Sequence, residues 1–137
     1  MSAVAVDTSV LLAIFKGEPR GELWLETLLS AAEVASLLVS SIALAEVRSF
    51  FPSGDACRKA LRDLDLKHSP LTEDASFLAG KIFRRYRSEG GPRTTILPDF
   101  LVAAHAATQA ESLATEDRGY LRTYFPDIRL LTPATSN

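Results

Sequence analysis

Four acidic residues stand where a fold could gather them. Asp7 ends the apolar run Ala3-Val4-Ala5-Val6, and Glu46 lies among Ala43, Leu44, Ala45 and Val47. Asp99 follows Pro98 at the start of an alanine-rich stretch, and Asp117 follows Thr115-Glu116. Carboxylates brought close together repel, so they hold protons or bind a cation. A hard divalent ion such as Mg2+ (or Mn2+) takes oxygen ligands and keeps several waters, using few carboxylates plus a substrate phosphate. One or two such ions activate water and stabilise the leaving oxygen of a phosphodiester. The two histidines and the single cysteine form no zinc-type cluster that would compete for this role. Each acid also has a plain structural use. Asp7 and Asp117 can cap helices, and Asp99 can favour a helix N-terminus. Glu46 needs a partner if it is buried, although Arg48 gives its helix a wet face.

The elements that must position these acids follow from the apolar pattern. An unbroken apolar run that stops at an acid reads as a buried parallel strand, with Asp7 at its carboxyl end. Thr8 and Ser9 can then cap a short helix that ends near Lys16. Gly17, Pro19 and Gly21 break the chain before a helix over 22–33. Leu37-Leu38-Val39 marks a second strand over 34–40, with Ser40 or Ser41 capping a helix over 42–51. An amphipathic helix is predicted over 55–66, with a turn or very short strand at His68-Ser69-Pro70. A helix over 72–87 opens on acids and closes on arginines, matching its dipole. Gly90-Gly91-Pro92 is a loop. Pro98 is a first-turn residue of a helix that runs from Asp99 to about Ala110. Residues 112–115 read as the third strand, 118–125 as a short helix and 128–131 as the last strand. Strands alternating with helices imply a mostly parallel sheet, whose strand ends and departing helices share one rim. Ligands bind at that rim in open α/β sheets. On that topology Asp7, Asp99 and Asp117 share a cleft, and Glu46 reaches it from the helix after the second strand.

Bulk properties fit this picture. The chain has 137 residues, enough for one domain over 1–133 with a polar, frayed tail at 134–137. Hydrophobic residues make up 47%, which excludes a disordered chain. Fifteen basic residues against 17 acidic ones, net −2, exclude a wholly basic nucleic-acid coat. Cys57 is alone and demands no oxidising compartment. No apolar run reaches membrane-spanning length and no basic leader precedes the first one, so a cytoplasmic protein is expected.

The ordered set Val6-Asp7-Thr8-Ser9, Ala45-Glu46-Val47, Asp99-Phe100-Leu101-Val102-Ala103-Ala104-His105-Ala106 and Thr115-Glu116-Asp117-Arg118-Gly119-Tyr120 resembles the PIN-domain family. Within it the chain is similar to VapC-type toxins of bacterial toxin–antitoxin pairs, and the ending from Tyr124 to Pro133 shares the likeness. The resemblance implies a three-layer α/β/α sandwich around a parallel sheet and metal-dependent RNA cleavage by clustered acids. It implies that Asp7, Glu46, Asp99 and Asp117 are catalytic and hold Mg2+ or Mn2+, with Ser9 and Thr115 supporting the acids or touching metal-bound water. Its implied partners are RNA, a small antitoxin protein and a second copy of the chain. Many relatives carry a further acid two residues after the last, where this chain has Gly119.

Other residues invite weaker roles. Arg84, Arg85, Arg87 and Arg93 flank the glycine loop and could hold RNA phosphates, or simply answer a helix dipole. Trp24 and His105 read as packing residues, and His68 has no evident partner. Ser9 as a nucleophile lacks a marked histidine base. Alternatives are a housekeeping PIN nuclease, an aspartyl-phosphate phosphatase using Asp7, or a non-catalytic binding module. The phosphatase class generally places a second acid where this chain has Ser9, and a binding module would be expected to lose acids.

Overall fold

Residues in β1 (Ser2–Val6) alternate between two apolar clusters, as a pleated strand buried on both faces requires. Val4 and Val6 join one cluster with α1 (Thr8–Phe15), α2 (Pro19–Ala32) and α4 (Gly54–Asp63). Ala5 joins the other with α5 (Glu73–Ser88), α6 (Leu97–Gln109) and α7 (Gly119–Tyr124). Between these layers β1 pairs in parallel with β2 (Ala35–Ser40) and β4 (Ser112–Ala114). Outside them lie β3 (Leu66–Ser69) and β5 (Arg129–Leu131), also parallel, in the order β3-β2-β1-β4-β5. A short helix α3 (Ser41–Arg48) leaves the end of β2. This computed structural model describes residues 2–116 and 119–133. Asp117 and the expected tail at 134–137 lie outside the described residues. The three-layer α/β/α sandwich is the expected fold class, with every pairing among the described residues parallel.

The strand order reverses at β1. Connections run outward to β2 and β3 on one side, then return across β1 to β4 and β5 on the other. The crevice beyond the carboxyl ends of β1 and β4 is therefore a topological switch point, the place where such sheets bind ligands. Asp7 stands on it.

Some element boundaries differ from the sequence reading, each for a local reason. Residue 66 belongs to β3 and not to the preceding helix. Asp65 takes a left-handed conformation (φ 57°), one that aspartate tolerates better than most residues, and it ends the helix and turns the chain into the strand. The segment from His68 is thus the second half of a real edge strand. The helix expected over 42–51 stops earlier, at Arg48. Pro19 opens α2 as its first residue. Gly21 lies inside that helix because a Cβ there would stand 2.2 Å from the Ala13 carbonyl oxygen, so its absence permits α1 and α2 to approach. Ser40, Ser53 and Thr72 cap α3, α4 and α5 through their hydroxyls. Among the described residues no helix is long and apolar enough to cross a membrane.

Candidate functional site

Asp7 leaves β1 with extended backbone (φ −75°, ψ 155°) and occupies the N-cap of α1. Its own N–H donates to the Ala114 carbonyl at 2.9 Å, tying it to the end of β4. Three donors converge on its carboxylate. Thr8 N–H reaches Oδ1 at 2.8 Å, while Ser9 Oγ and Thr115 Oγ1 reach Oδ2 at 3.0 and 2.8 Å. Thr8 and Ser9 therefore do not cap α1, as the sequence suggested. Asp7 takes that place, since its carboxylate accepts the Thr8 N–H, and both hydroxyls are left to serve the acids. Burial pushes the Asp7 carboxyl above its usual range, the three hydrogen bonds pull against that rise, and the charge of Glu46 adds to it. A carboxylate short of water and furnished with fixed donors is poised for a cation.

Glu46 is exposed on α3, so burial does not force a partner on it. It finds one in Thr8, whose Oγ1 donates to Glu46 Oε1 at 2.7 Å. Thr8 thereby links the two acids, its N–H on Asp7 and its hydroxyl on Glu46. Asp99, half-buried in the first turn of α6, accepts the Ile96 N–H on Oδ2 at 2.9 Å. Ile96 has no side-chain acceptor to return, so Asp99 supplies the side-chain bond that closes this helix start. The elements bearing these acids touch in a circuit: α1 meets α3, α3 meets α6, and α6 meets β1. Among the described residues, no three carboxylate, imidazole or thiol groups gather closely enough to hold a metal ion by themselves. Asp117, the fourth expected acid, lies outside the described residues.

One neighbour of the Asp7 site escaped the sequence reading. Glu116 accepts the Trp24 indole N–H at 2.7 Å and a fork from Arg20, whose Nη2 lies 3.0 Å from Oε2 and whose Nε meets Oε1. Trp24 is fully buried, as a packing residue should be, but it also carries this polar contact. The only signal for it was adjacency of Glu116 to Asp117, since 92 residues separate the indole from the carboxylate. His68 is not partnerless either, because its Nε2 lies 2.9 Å from Ser41 Oγ. His105 is fully buried on α6 with Nε2 3.0 Å from Ser69 Oγ, and desolvation lowers its pKa. Arg85 lies over the Tyr124 ring at 4.6 Å and Arg87 over Phe83 at 5.9 Å, while Arg84 and Arg93 are exposed.

The PIN-domain family model matches residues 4–126, nearly the whole described chain. The chain belongs to the PIN-domain family. A search of curated proteins returned no sequence match. Solved structures similar to this PIN domain include VapBC2 from Rickettsia felis bound to a promoter DNA fragment (20% identity, 94% of this chain and 97% of that chain, TM-score 0.73). VapBC-1 from nontypeable Haemophilus influenzae is similar over 94% of this chain and 96% of its own (17% identity, TM-score 0.71). A toxin–antitoxin complex from Klebsiella pneumoniae is similar over 96% and 98% (20% identity, TM-score 0.69). At these identities the likeness is one of fold. Asp7 thus lies in a PIN architecture whose fold these solved structures share.

Proposed function

We propose that this PIN domain is a metal-dependent endoribonuclease and the toxin of a toxin–antitoxin pair. The observation that carries the reading is the Asp7 carboxylate. It stands at the switch point, is half-buried, and is held by Ser9, Thr115 and the Thr8 N–H with Glu46 one hydroxyl away. The donor set is all oxygen, which suits Mg2+ or Mn2+ better than a softer ion. Asp7, Glu46, Asp99 and Asp117 would hold the ion, and Asp99 would release or share its contact with the Ile96 N–H. When bound, a divalent ion supplies positive charge to the scissile phosphate and lowers the pKa of an attacking water. Ser9 and Thr115 hold Asp7 Oδ2 in one direction, and Thr8 holds Oδ1 while keeping Glu46 beside it. Exposed Arg84 and Arg93 would add phosphate contacts. Arg85 and Arg87 would contribute less, since aromatic rings already engage them.

The partners follow the same reading: RNA, a small antitoxin, a second copy of the chain, and a cytoplasmic setting. One of the similar structures is a toxin–antitoxin complex, which supports that partner. An antitoxin arginine placed in the Asp7 crevice would compete with the cation for the same oxygens. The deciding experiment incubates the protein with RNA and Mg2+ or Mn2+, with EDTA as control, beside a phosphomonoester. Metal-dependent RNA cleavage, lost in EDTA, is expected. Phosphate release without RNA cleavage would favour the phosphatase, and no hydrolysis of either would favour a binding module.

A further inference from the structure

The acid at the end of β1 is held through a relay that begins on α2. Arg20 and Trp24 lie one turn apart on that helix and so face the same way. Both close on Glu116: the indole N–H on Oε1 at 2.7 Å, the guanidinium across both oxygens. Bidentate arginine–carboxylate pairs set direction as well as distance. The buried indole anchors the carboxylate from within, while Arg20 closes it from the half-exposed side.

The backbone of the gripped residue continues the relay. Glu116 N–H donates to Ser9 Oγ at 3.2 Å, and Ser9 Oγ donates its proton to Asp7 Oδ2 at 3.0 Å. A serine hydroxyl has one proton, so accepting from Glu116 aims that proton at Asp7. The preceding residue, Thr115, donates to the same Oδ2 at 2.8 Å. Both side-chain donors on Oδ2 thus depend on where the chain lies at residues 115–116, and the next residue in sequence is Asp117.

We propose that Glu116 is a positioning residue for the acidic site: clamped by Arg20 and Trp24, it sets the backbone at 115–116 and, through Ser9 and Thr115, the orientation of Asp7. The proposal rests on the nuclease reading above. Its rival is a staple that merely joins α2 to the sheet, whose loss would lower stability and leave the site alone.

The experiment uses the full chain with Glu116→Ala, Glu116→Gln, Arg20→Ala and Arg20→Lys, and with Leu61→Ala in the α4 core as a destabilised control. Mg2+ affinity is measured by calorimetry, RNA cleavage as kcat and KM, and melting in EDTA, with kinetics run well below every Tm. Partners that orient metal ligands typically contribute about 10- to 100-fold in affinity or activity. Glu116→Ala is expected to weaken Mg2+ binding and lower kcat within roughly that range, with KM moving less than about 3-fold. Glu116→Gln, which keeps an acceptor for the indole, should recover part of both. Leu61→Ala should lower Tm with Mg2+ affinity and kcat unchanged.

A Glu116→Ala protein that melts lower but binds Mg2+ and turns over like wild type overturns the proposal in favour of the staple. If Glu116→Ala does not fold, the surface variant decides. Arg20→Ala should weaken Mg2+ binding several-fold with partial rescue by Arg20→Lys, and unchanged Mg2+ affinity in Arg20→Ala overturns the proposal. A wild-type protein that neither binds Mg2+ nor cleaves RNA overturns the nuclease reading itself, and the positioning role falls with it.

Discussion

Asp7 and Asp99 sit in comparable places, each where the chain enters a helix, yet their surroundings make them different groups. Asp7 stands between the end of β1 and the start of α1, and it receives three hydrogen bonds, two from the first turn of α1 and one from Thr115 just past β4. Asp99 is flanked by a loop and its own helix, and its carboxylate satisfies the Ile96 N–H. The same residue type is a cap held by two further hydroxyls in one region and a cap with a single backbone contact in the other. The difference comes from a neighbour across the sheet, since Thr115, just past β4, reaches Asp7, whereas Asp99 accepts the N–H of Ile96, three residues before it.

The largest expected effect tests that difference directly. Asp7→Asn should lower metal-supported RNA cleavage at least about 100-fold, beyond what loss of a supporting group costs. In EDTA it should melt above wild type, because it removes a charge that burial disfavours. Asp99→Asn should also lose cleavage, but in EDTA it should melt at or slightly below wild type, by about 0.3–1 kcal/mol, since a carboxylate suits the helix start. Calorimetric melting of both proteins checks the pair. Asp99→Asn melting above Asp7→Asn would reverse the comparison.

Cation binding comes next. At a free Mn2+ concentration about 100 times its Kd, wild type should gain about 2.7 kcal/mol. Asp7→Asn should gain much less, as read by thermal shift against Mn2+. Equal gains would mean that Asp7 is not at the binding site. Thr115→Val should remove one donor from a half-buried carboxylate and destabilise the protein by about 1 kcal/mol in denaturant titration. Cleavage should drop roughly 10-fold alongside.

Acidity separates Asp7 from other carboxylates more gently. Its folded pKa lies above the ordinary 3.8, so between the two values the folded state holds the extra proton. Stability linked to this group is therefore fully present below 3.8 and lost as pH rises through the folded pKa. In EDTA the Tm advantage of Asp7→Asn should be widest near neutral pH and close as pH falls. An advantage that stays constant down to pH values near 3.8 would remove burial of this charge as its source. The smallest effect concerns the arginines. Each phosphate contact to a single strand contributes about 0.7 to the salt dependence of binding. Arg84→Ala or Arg93→Ala should reduce the slope by about that amount, and Arg85→Ala by less because its guanidinium already lies over Tyr124.

Much of this architecture was legible along the chain. The run Ala3 to Val6, the cap residue Ser40, the acidic first turn at Glu73-Asp74, and Pro98 each carry a local physical preference, and each element they announce is present. What was missed depended on contacts or on rarer backbone states. The edge strand β3 was shortened because nothing about Asp65 as a letter says that it will adopt a positive φ. Gly21 read as a breaker because its reason, the approach of Ala13, lies on another helix.

The sequence by itself determined the alternation of strands and helices, and hence a parallel sheet with Asp7 at a strand's carboxyl end. Period and capping are local properties, and parallel strands joined by helices leave few other arrangements. Only the tertiary structure decided which distant neighbours the acids would have. It set Thr115 on Asp7 and the Thr8 hydroxyl on Glu46, whereas Ser9 on Asp7 and the Ile96 N–H on Asp99 are contacts within three residues. It also brought Trp24 and Arg20 to Glu116. Hydrogen bonds act over about 3 Å, and residues so far apart in sequence come within that distance only after the sheet has placed β2 and β4 on either side of β1.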